Sequence, residues 1–155
     1  MAAIKKILVP TDFSKFSDNA LKQAVEMAKQ NKAKIYLFHV INPFYVSPNI
    51  RLYAGDYSVD PTIVMDLEQK SMQYAQDMMQ KQIRKVVKSS DISIVSDLRK
   101  GTPYQEILKE QEDKKMDLIV IATHGQTGLK GYLLGSVADK VARHAKCPVY
   151  LVRGK

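Results

Sequence analysis

The run Leu118-Ile119-Val120-Ile121-Ala122 is apolar at every position and stops at Thr123-His124-Gly125. It is rich in β-branched residues and shows no polar alternation. Such a run is a strand buried on both faces, as in a parallel sheet, and it demands helices packed on each side. The rest of the chain supplies them. Ile4 to Val9 is a similar run, ended by Pro10. Lys34 to Val40 alternates and then turns apolar, Ile92 to Leu98 alternates imperfectly, and Pro148 to Val152 closes the set. Between these runs the apolar period changes to that of a helix. Leu21, Ala24, Val25 and Ala28 recur at i, i+3, i+4 and i+7 before Asn31-Lys32-Ala33, with Ser17 or Asp18 as the expected N-cap. Pro61 suits the first turn of a helix that carries Leu67, Ser71, Ala75, Met78, Met79, Ile83, Val86 and Val87 to about Lys88. Its methionines read as core filler. Lys100-Gly101-Thr102-Pro103 turns into a third helix, capped by Thr102, with Ile107 and Leu108 inside. The last helix carries Val137 and Val141 behind an expected Ser136 cap. The order β-α-β-α-β-α-β-α-β predicts an α/β fold: an open five-stranded parallel sheet with helices on both faces.

The 155 residues suit a single domain over 1–155, and a balance of 45% hydrophobic to 26% charged residues argues against disorder. Cys147 is the sole cysteine, so neither a disulfide framework nor a thiolate metal cluster is expected. No apolar run is long enough for a bilayer, and the opening Met-Ala-Ala-Ile-Lys-Lys enters a strand with no signal-peptide pattern. A cytoplasmic location is the expectation. The formal charge of +8 has two readings, an anionic partner or a solvated lysine-rich surface. The lysines are scattered and no aromatics alternate with them, which favours the surface and disfavours nucleic acid. Asn42 to Pro61, with Pro43, Pro48, Gly55 and three tyrosines, is the least regular stretch, a lid or a partner surface.

A glycine-bearing loop follows the Leu118–Ala122 run, with Gly125, Gly128, Gly131 and Gly135, and a helix begins near Ser136. Strand, glycine loop and helix N-terminus together form a phosphate-binding geometry. Glycines admit the anion to the backbone, and the first-turn N–H groups face it. Asp12, Val40 and the loop after Ala122 all lie at carboxyl ends of strands, where ligands of parallel sheets bind. His124 is placed to orient the loop or touch a phosphate, although a lone histidine is more often structural. His39 reads as the end of a buried strand, and His144 lies on the last helix. Neither suggests a metal site. No P-loop, no dinucleotide fingerprint and no Gly-x-Ser-x-Gly elbow occurs.

These residues resemble the universal stress protein family over nearly the whole chain. The resemblance lies in Lys5-Lys-Ile-Leu-Val-Pro-Thr-Asp12, Phe38-His39-Val40, Lys100-Gly-Thr-Pro103, Asp117-Leu-Ile-Val-Ile-Ala-Thr-His-Gly125, Leu134-Gly-Ser-Val-Ala138 and Cys147-Pro-Val149. The family's nucleotide-binding branch carries G-x2-G-x9-G-[S/T]. Gly125, Gly135 and Ser136 satisfy its later part, whereas Ala122 stands where the first glycine belongs. A left-handed backbone at 122 would make alanine cost about 1 kcal/mol, whereas a mere need for a small side chain would tolerate it. A strand end favours the second.

The resemblance implies a Rossmann-like fold of the adenine nucleotide alpha-hydrolase-like kind with ATP as ligand. Pro10, Val40 and Ala122 would line the adenine pocket. Asp12 would accept hydrogen bonds from the ribose or adenine side. Gly125 and Gly135 would let the loop wrap the triphosphate, and Ser136 with the Val137 N–H would hold terminal phosphates. Mg2+ could bridge phosphate oxygens, although the sequence shows no dedicated acidic pair for it. Three functions follow: an ATP-dependent regulatory switch with little or no hydrolysis, a slow ATPase or self-phosphorylating protein using Ser136, Thr123 or Thr127, and a nucleotide-independent interaction protein. The short apolar segment 149–152 reads as a sheet edge that pairs with a second copy, as the resemblance also implies, and a further protein partner is left open.

Overall fold

The computed structural model describes residues 3–42, 60–125 and 134–154. Five strands form one parallel sheet: β1 (Lys6–Pro10), β2 (Lys34–Ile41), β3 (Ile94–Lys100), β4 (Leu118–Ala122) and β5 (Val149–Val152). The helices are α1 (Lys15–Asn31), α2 (Pro61–Val86), α3 (Pro103–Asp113) and α4 (Ser136–His144). The strand order is β3-β2-β1-β4-β5. The chain steps outward from β1 to β3, then returns to the other side of β1. Crossovers of one hand place helices on opposite faces when the direction of travel reverses.

The side chains confirm the two layers. Ile7, Val9, Ile35, Leu37, Leu118 and Val120 are buried with residues of α1 and α2. Leu8, Phe38, Val40, Ile119 and Ile121 are buried on the other face with Ile107 of α3 and Ala138 and Val141 of α4. Each such aliphatic side chain contributes roughly 1.5–3 kcal/mol of transfer free energy. The expected α1 stripe is correct, since Leu21, Ala24, Val25 and Ala28 are all buried.

Four expectations need correction. The first helix is capped by Ser14, whose side chain accepts from the Ser17 N–H at 3.2 Å. Phe13 has φ 68 and delivers the chain into the helix early, so Ser17 and Asp18 lie within the first turn and are buried. The last helix is capped by Gly135 rather than Ser136, because the Gly135 carbonyl already accepts from the Asp139 N–H at 2.9 Å. Pairing with β2 extends β3 through Lys100 opposite Ile41, beyond the expected end at Leu98. The stripe of α2 is buried only in its second half, at Ala75, Met79, Gln82 and Val86, while Leu67 is exposed. A helix of 26 residues is about 39 Å long, and its eight-residue neighbour β2 is about 26 Å. The start of α2 therefore overhangs the carboxyl rim of the sheet. Thr102 caps α3 by position, without a side-chain hydrogen bond. Most of the irregular stretch, residues 43–59, lies outside the described residues, as do Thr127, Gly128 and Gly131. No helix among the described residues is long and apolar enough to cross a membrane.

Candidate nucleotide site

β1 and β4 are neighbours whose connections leave in opposite directions, so the switch point of the sheet lies between their carboxyl ends. Leu8 is level with Ile119, and this register carried onward sets Ala122 level with Thr11. Asp12 and Gly125 then meet above the sheet. A Cβ built on Gly125 would stand 2.6 Å from Asp12 Oδ2. A side chain at 125 would have to displace that carboxylate. Asp12 Oδ1 accepts the Ser14 N–H at 3.0 Å, which ties the carboxylate to the start of α1.

The ends of the glycine loop are joined at the same place. The Gly135 N–H donates to the Thr123 carbonyl at 2.7 Å, and the Thr123 N–H donates to the Val152 carbonyl at 2.9 Å. A Cβ on Gly135 would approach the Thr123 carbonyl oxygen at 3.0 Å. This contact sets the N-terminus of α4 beside the end of β4. The Ser136 and Val137 N–H groups belong to its first turn, which has no intrahelical acceptors. His124 Nδ1 lies 2.9 Å from Thr123 Oγ1, and its ring is tilted against Phe16 at 5.9 Å.

The remaining predicted residues line the same rim at different depths. Pro10 is buried at the end of β1, level with Phe38, so Val40 stands two residues further along β2. Val40 is buried and faces the α3–α4 layer. Ala122 is the last residue of β4, level with Val152, and packs against the α1–α2 layer. The described non-glycine residues with positive φ are Phe13, Lys32 and Lys115, so the backbone at 122 needs no glycine. The departure from the glycine motif thus falls where a methyl group is sterically cheap.

His39 had been read only as the end of a strand. Its Nδ1 lies 2.7 Å from the Thr11 carbonyl, and its ring stacks on Phe13 with centroids 4.3 Å apart. A carbonyl only accepts, so Nδ1 carries the proton. Burial lowers the His39 pKa below the ordinary 6.5, while the Thr11 hydrogen bond and the Asp12 charge oppose that shift. Cys147 is half-buried, and burial raises its thiol pKa. Gln82 was also missed. It is a buried amide on the α2 stripe between Met79 and Val86, hydrogen-bonded to the Thr11 hydroxyl at 2.8 Å. A polar residue on an otherwise apolar stripe was the available signal.

At the opposite end of the sheet an open cleft of about 660 Å³ is lined by Lys5, Lys29, Lys32 and Lys34 among others. α1 ends there, so the lysines complement the negative end of its dipole. Among the described residues no group of three or more His, Cys, Asp or Glu could hold a metal ion.

The family model described as "Universal stress protein family" matches residues 3–153. The chain belongs to the universal stress protein family. Universal stress protein MJ0531 of Methanocaldococcus jannaschii is 36% identical over 150 residues, covering 96% of this chain and 82% of that one. Universal stress protein MJ0577 of the same organism is 31% identical over 156 residues, covering 97% and 96%. The solved structure of MJ0577 superposes with a TM-score of 0.81 at 29% identity and covers 99% of each chain. A universal stress protein solved in complex with cAMP has a TM-score of 0.62 at 23% identity, covering 99% of this chain and 100% of that one, a likeness of fold.

Proposed function

We propose that this universal stress protein binds ATP at the β1–β4 switch point and acts as a nucleotide-dependent regulatory module with little or no hydrolysis. The observation that carries the reading is the contact between Asp12 and Gly125. A carboxylate suited to ribose hydroxyls stands against a glycine that opens the backbone to an anion. Gly135, Ser136 and Val137 begin α4 at the other end of the same loop, where first-turn N–H groups favour phosphate oxygens. Pro10, Val40 and Ala122 would bound the base at the rim, Val40 from the α3–α4 side and Ala122 from the α1–α2 side, and His124, held by Thr123 and Phe16, would start the loop. Mg2+ would be held through the phosphate oxygens. A fold-mate solved with cAMP supports a fold able to host an adenine nucleotide.

The reading includes a cytoplasmic location and a homodimer. Residues 149–152 form an edge strand, and Tyr150 and Leu151 on it are exposed. An apolar edge with open backbone groups favours pairing with a second copy. Light scattering at micromolar concentration should give twice the chain mass, and a single-chain mass refutes the dimer.

Mass analysis of a denatured extract, then calorimetric titration with Mg-ATP, tests the nucleotide. Bound ATP, or micromolar binding weakened at least tenfold by Asp12→Ala and by Ser136→Ala, is the expected result. No nucleotide and no heat in a folded protein overturns the reading. Time-dependent ADP release well above Ser136→Ala would replace the switch with a slow ATPase.

A further inference from the structure

The carboxylate of Asp12 is only as well placed as the turn that carries it. Thr11 comes before Asp12, and every polar group of Thr11 is engaged. Its N–H donates to the Phe38 carbonyl at 2.8 Å, and its carbonyl accepts from His39 Nδ1 at 2.7 Å. Its hydroxyl lies 2.8 Å from Gln82 Oε1 and 3.0 Å from Ser17 Oγ, and accepts the Phe13 N–H at 3.1 Å. Phe13 follows Asp12 and holds a left-handed backbone at φ 68, a conformation that is unfavourable for a non-glycine residue. The Thr11 hydroxyl and the His39 ring are what hold Phe13 there.

The direction of the Thr11 hydroxyl is set from α2. Lys85 Nζ lies 2.8 Å from Asp18 Oδ2, and Gln82 Nε2 donates to Asp18 Oδ1 at 2.8 Å and to Ser17 Oγ at 3.2 Å. A carboxylate facing the amide requires its NH2 side, so Gln82 Oε1 must point to Thr11. Ser17 Oγ already accepts from Gln82 Nε2, whereas Gln82 Oε1 has the Thr11 hydroxyl as its donor, so the Thr11 proton turns to the nearer oxygen, Oε1 at 2.8 Å against 3.0 Å. A lone pair then remains for the Phe13 N–H. Ser17 spends its own proton on the Ser14 carbonyl at 2.8 Å. Thr11, Ser17, Asp18 and Gln82 are all buried, so each broken link leaves a polar group without water.

We propose that Gln82 is a positioning residue of the nucleotide site, acting from α2 through the Thr11 hydroxyl on the turn that carries Asp12. The proposal rests on the nucleotide reading given above. It means that the Gln82–Thr11 link, and not the packing of α2 at large, is what couples α2 to the nucleotide site.

The test is calorimetric titration with Mg-ATP of the full chain and its variants, beside thermal unfolding. Gln82→Met keeps the volume and loses the amide. Thr11→Val loses only the hydroxyl, and Thr11→Ser restores it. Met79→Ala truncates the same helix one turn away without touching the network. Gln82→Met and Thr11→Val should each weaken Mg-ATP about tenfold, and the double variant should be no weaker than either alone. Thr11→Ser should return affinity to within about threefold of the unmodified chain, and Met79→Ala should lower the unfolding temperature with affinity within about twofold. Should Gln82→Met prove insoluble, the threonine pair decides. Unchanged affinity in Gln82→Met or Thr11→Val, or equal weakening by Met79→Ala, overturns the positioning role alone. Absence of binding by the unmodified chain overturns the nucleotide reading and this inference with it.

Discussion

Glu110 should make this protein lose stability as pH rises from 5 to 8. Its side chain is 1% exposed, and no donor among the described residues reaches its Oε2. Its Oε1 lies 3.2 Å from Arg99 Nη2 and 3.3 Å from Lys114 Nζ. Asp97 on β3 faces the same carboxyl and is itself held by Lys114 Nζ at 2.7 Å. Glu106 and Asp113 also lie near Arg99, at 3.7 and 3.8 Å, and divide its charge. Burial, then the Asp97 hydrogen bond and charge, raise the Glu110 pKa from 4.5 to about 7, against the pull of Lys114 and Arg99. Asp97 is lowered to about 2, first by accepting from Glu110. A single proton held by Glu110 and facing Asp97 accounts for both directions, and it is this shared proton that the pH profile tests. A raised acid is most favourable below its unfolded pKa, so this contribution is complete below 4.5 and is lost as pH climbs to 7. At about 1.4 kcal/mol per pH unit the loss is about 3 kcal/mol, of which about 2–3 falls between pH 5 and 8. Asp97 contributes above 3.8 and fails only as pH falls toward 2, outside this window. His39 works the other way, because a lowered histidine contributes above 6.5 and loses that contribution on acidification. Comparison with Glu110→Gln cancels His39, since the amide has an NH2 to offer Asp97 and cannot ionise. Urea unfolding should show the variant near the unmodified chain at pH 5 and more stable by about 2–3 kcal/mol at pH 8, a midpoint shift of about 1 M. Parallel profiles, or a variant less stable at pH 8, would show that Arg99 and Lys114 hold Glu110 ionised and would refute the shared proton.

Gly125→Ala sets a methyl 2.6 Å from Asp12 Oδ2 and should weaken Mg-ATP at least tenfold by calorimetry, because the carboxylate must swing away. Ala122→Gly completes the glycine motif, yet an extended strand end gains nothing from it. Affinity should stay within about threefold while chemical unfolding shows a loss of about 0.5–1 kcal/mol. Gly101→Ala meets both a φ of 151 and a Cβ 2.6 Å from Glu106 Cγ. Thermal unfolding should reveal a loss of about 1–3 kcal/mol, and an unchanged midpoint would show that the β3–α3 turn relaxes freely.

The layers of this fold were legible because its strands are buried twice. Leu118 to Ala122 has no polar position, and in the sheet its residues alternate between two apolar layers. The α1 stripe was legible for the same reason. The start of α1 was not, because Ser14, Ser17 and Asp18 are all competent caps. The choice among them was made by Phe13, whose positive φ depends on Thr11 and His39 rather than on local preference. β3 was set short because its apolar content ends at Leu98, whereas its length follows from backbone pairing through Lys100. The first half of α2 reads as a core stripe, but burial also needs a partner surface, and the helix outruns the sheet.

The site separates in the same way. Asp12, Gly125, Gly135 and Ser136, the residues of the proposed site, could be chosen by residue type, because few side chains suit a ribose hydroxyl or a close phosphate. The approach of Gly125 to Asp12 could not, since it follows from β4 lying beside β1, and that order is a property of the whole chain. The support beneath the site was the least legible part. Thr11, Asp18 and Gln82 come from three elements and share no motif, and each alone reads as an ordinary polar residue. What joins them is the cost of burying hydrogen-bonding groups without partners. That cost couples the members: removing Gln82 takes a partner from Thr11, Ser17 and Asp18 at once. A residue such as Gln82, far from any motif, can therefore bear on a ligand through the turn it holds, and its effect should appear in affinity as well as in folding stability.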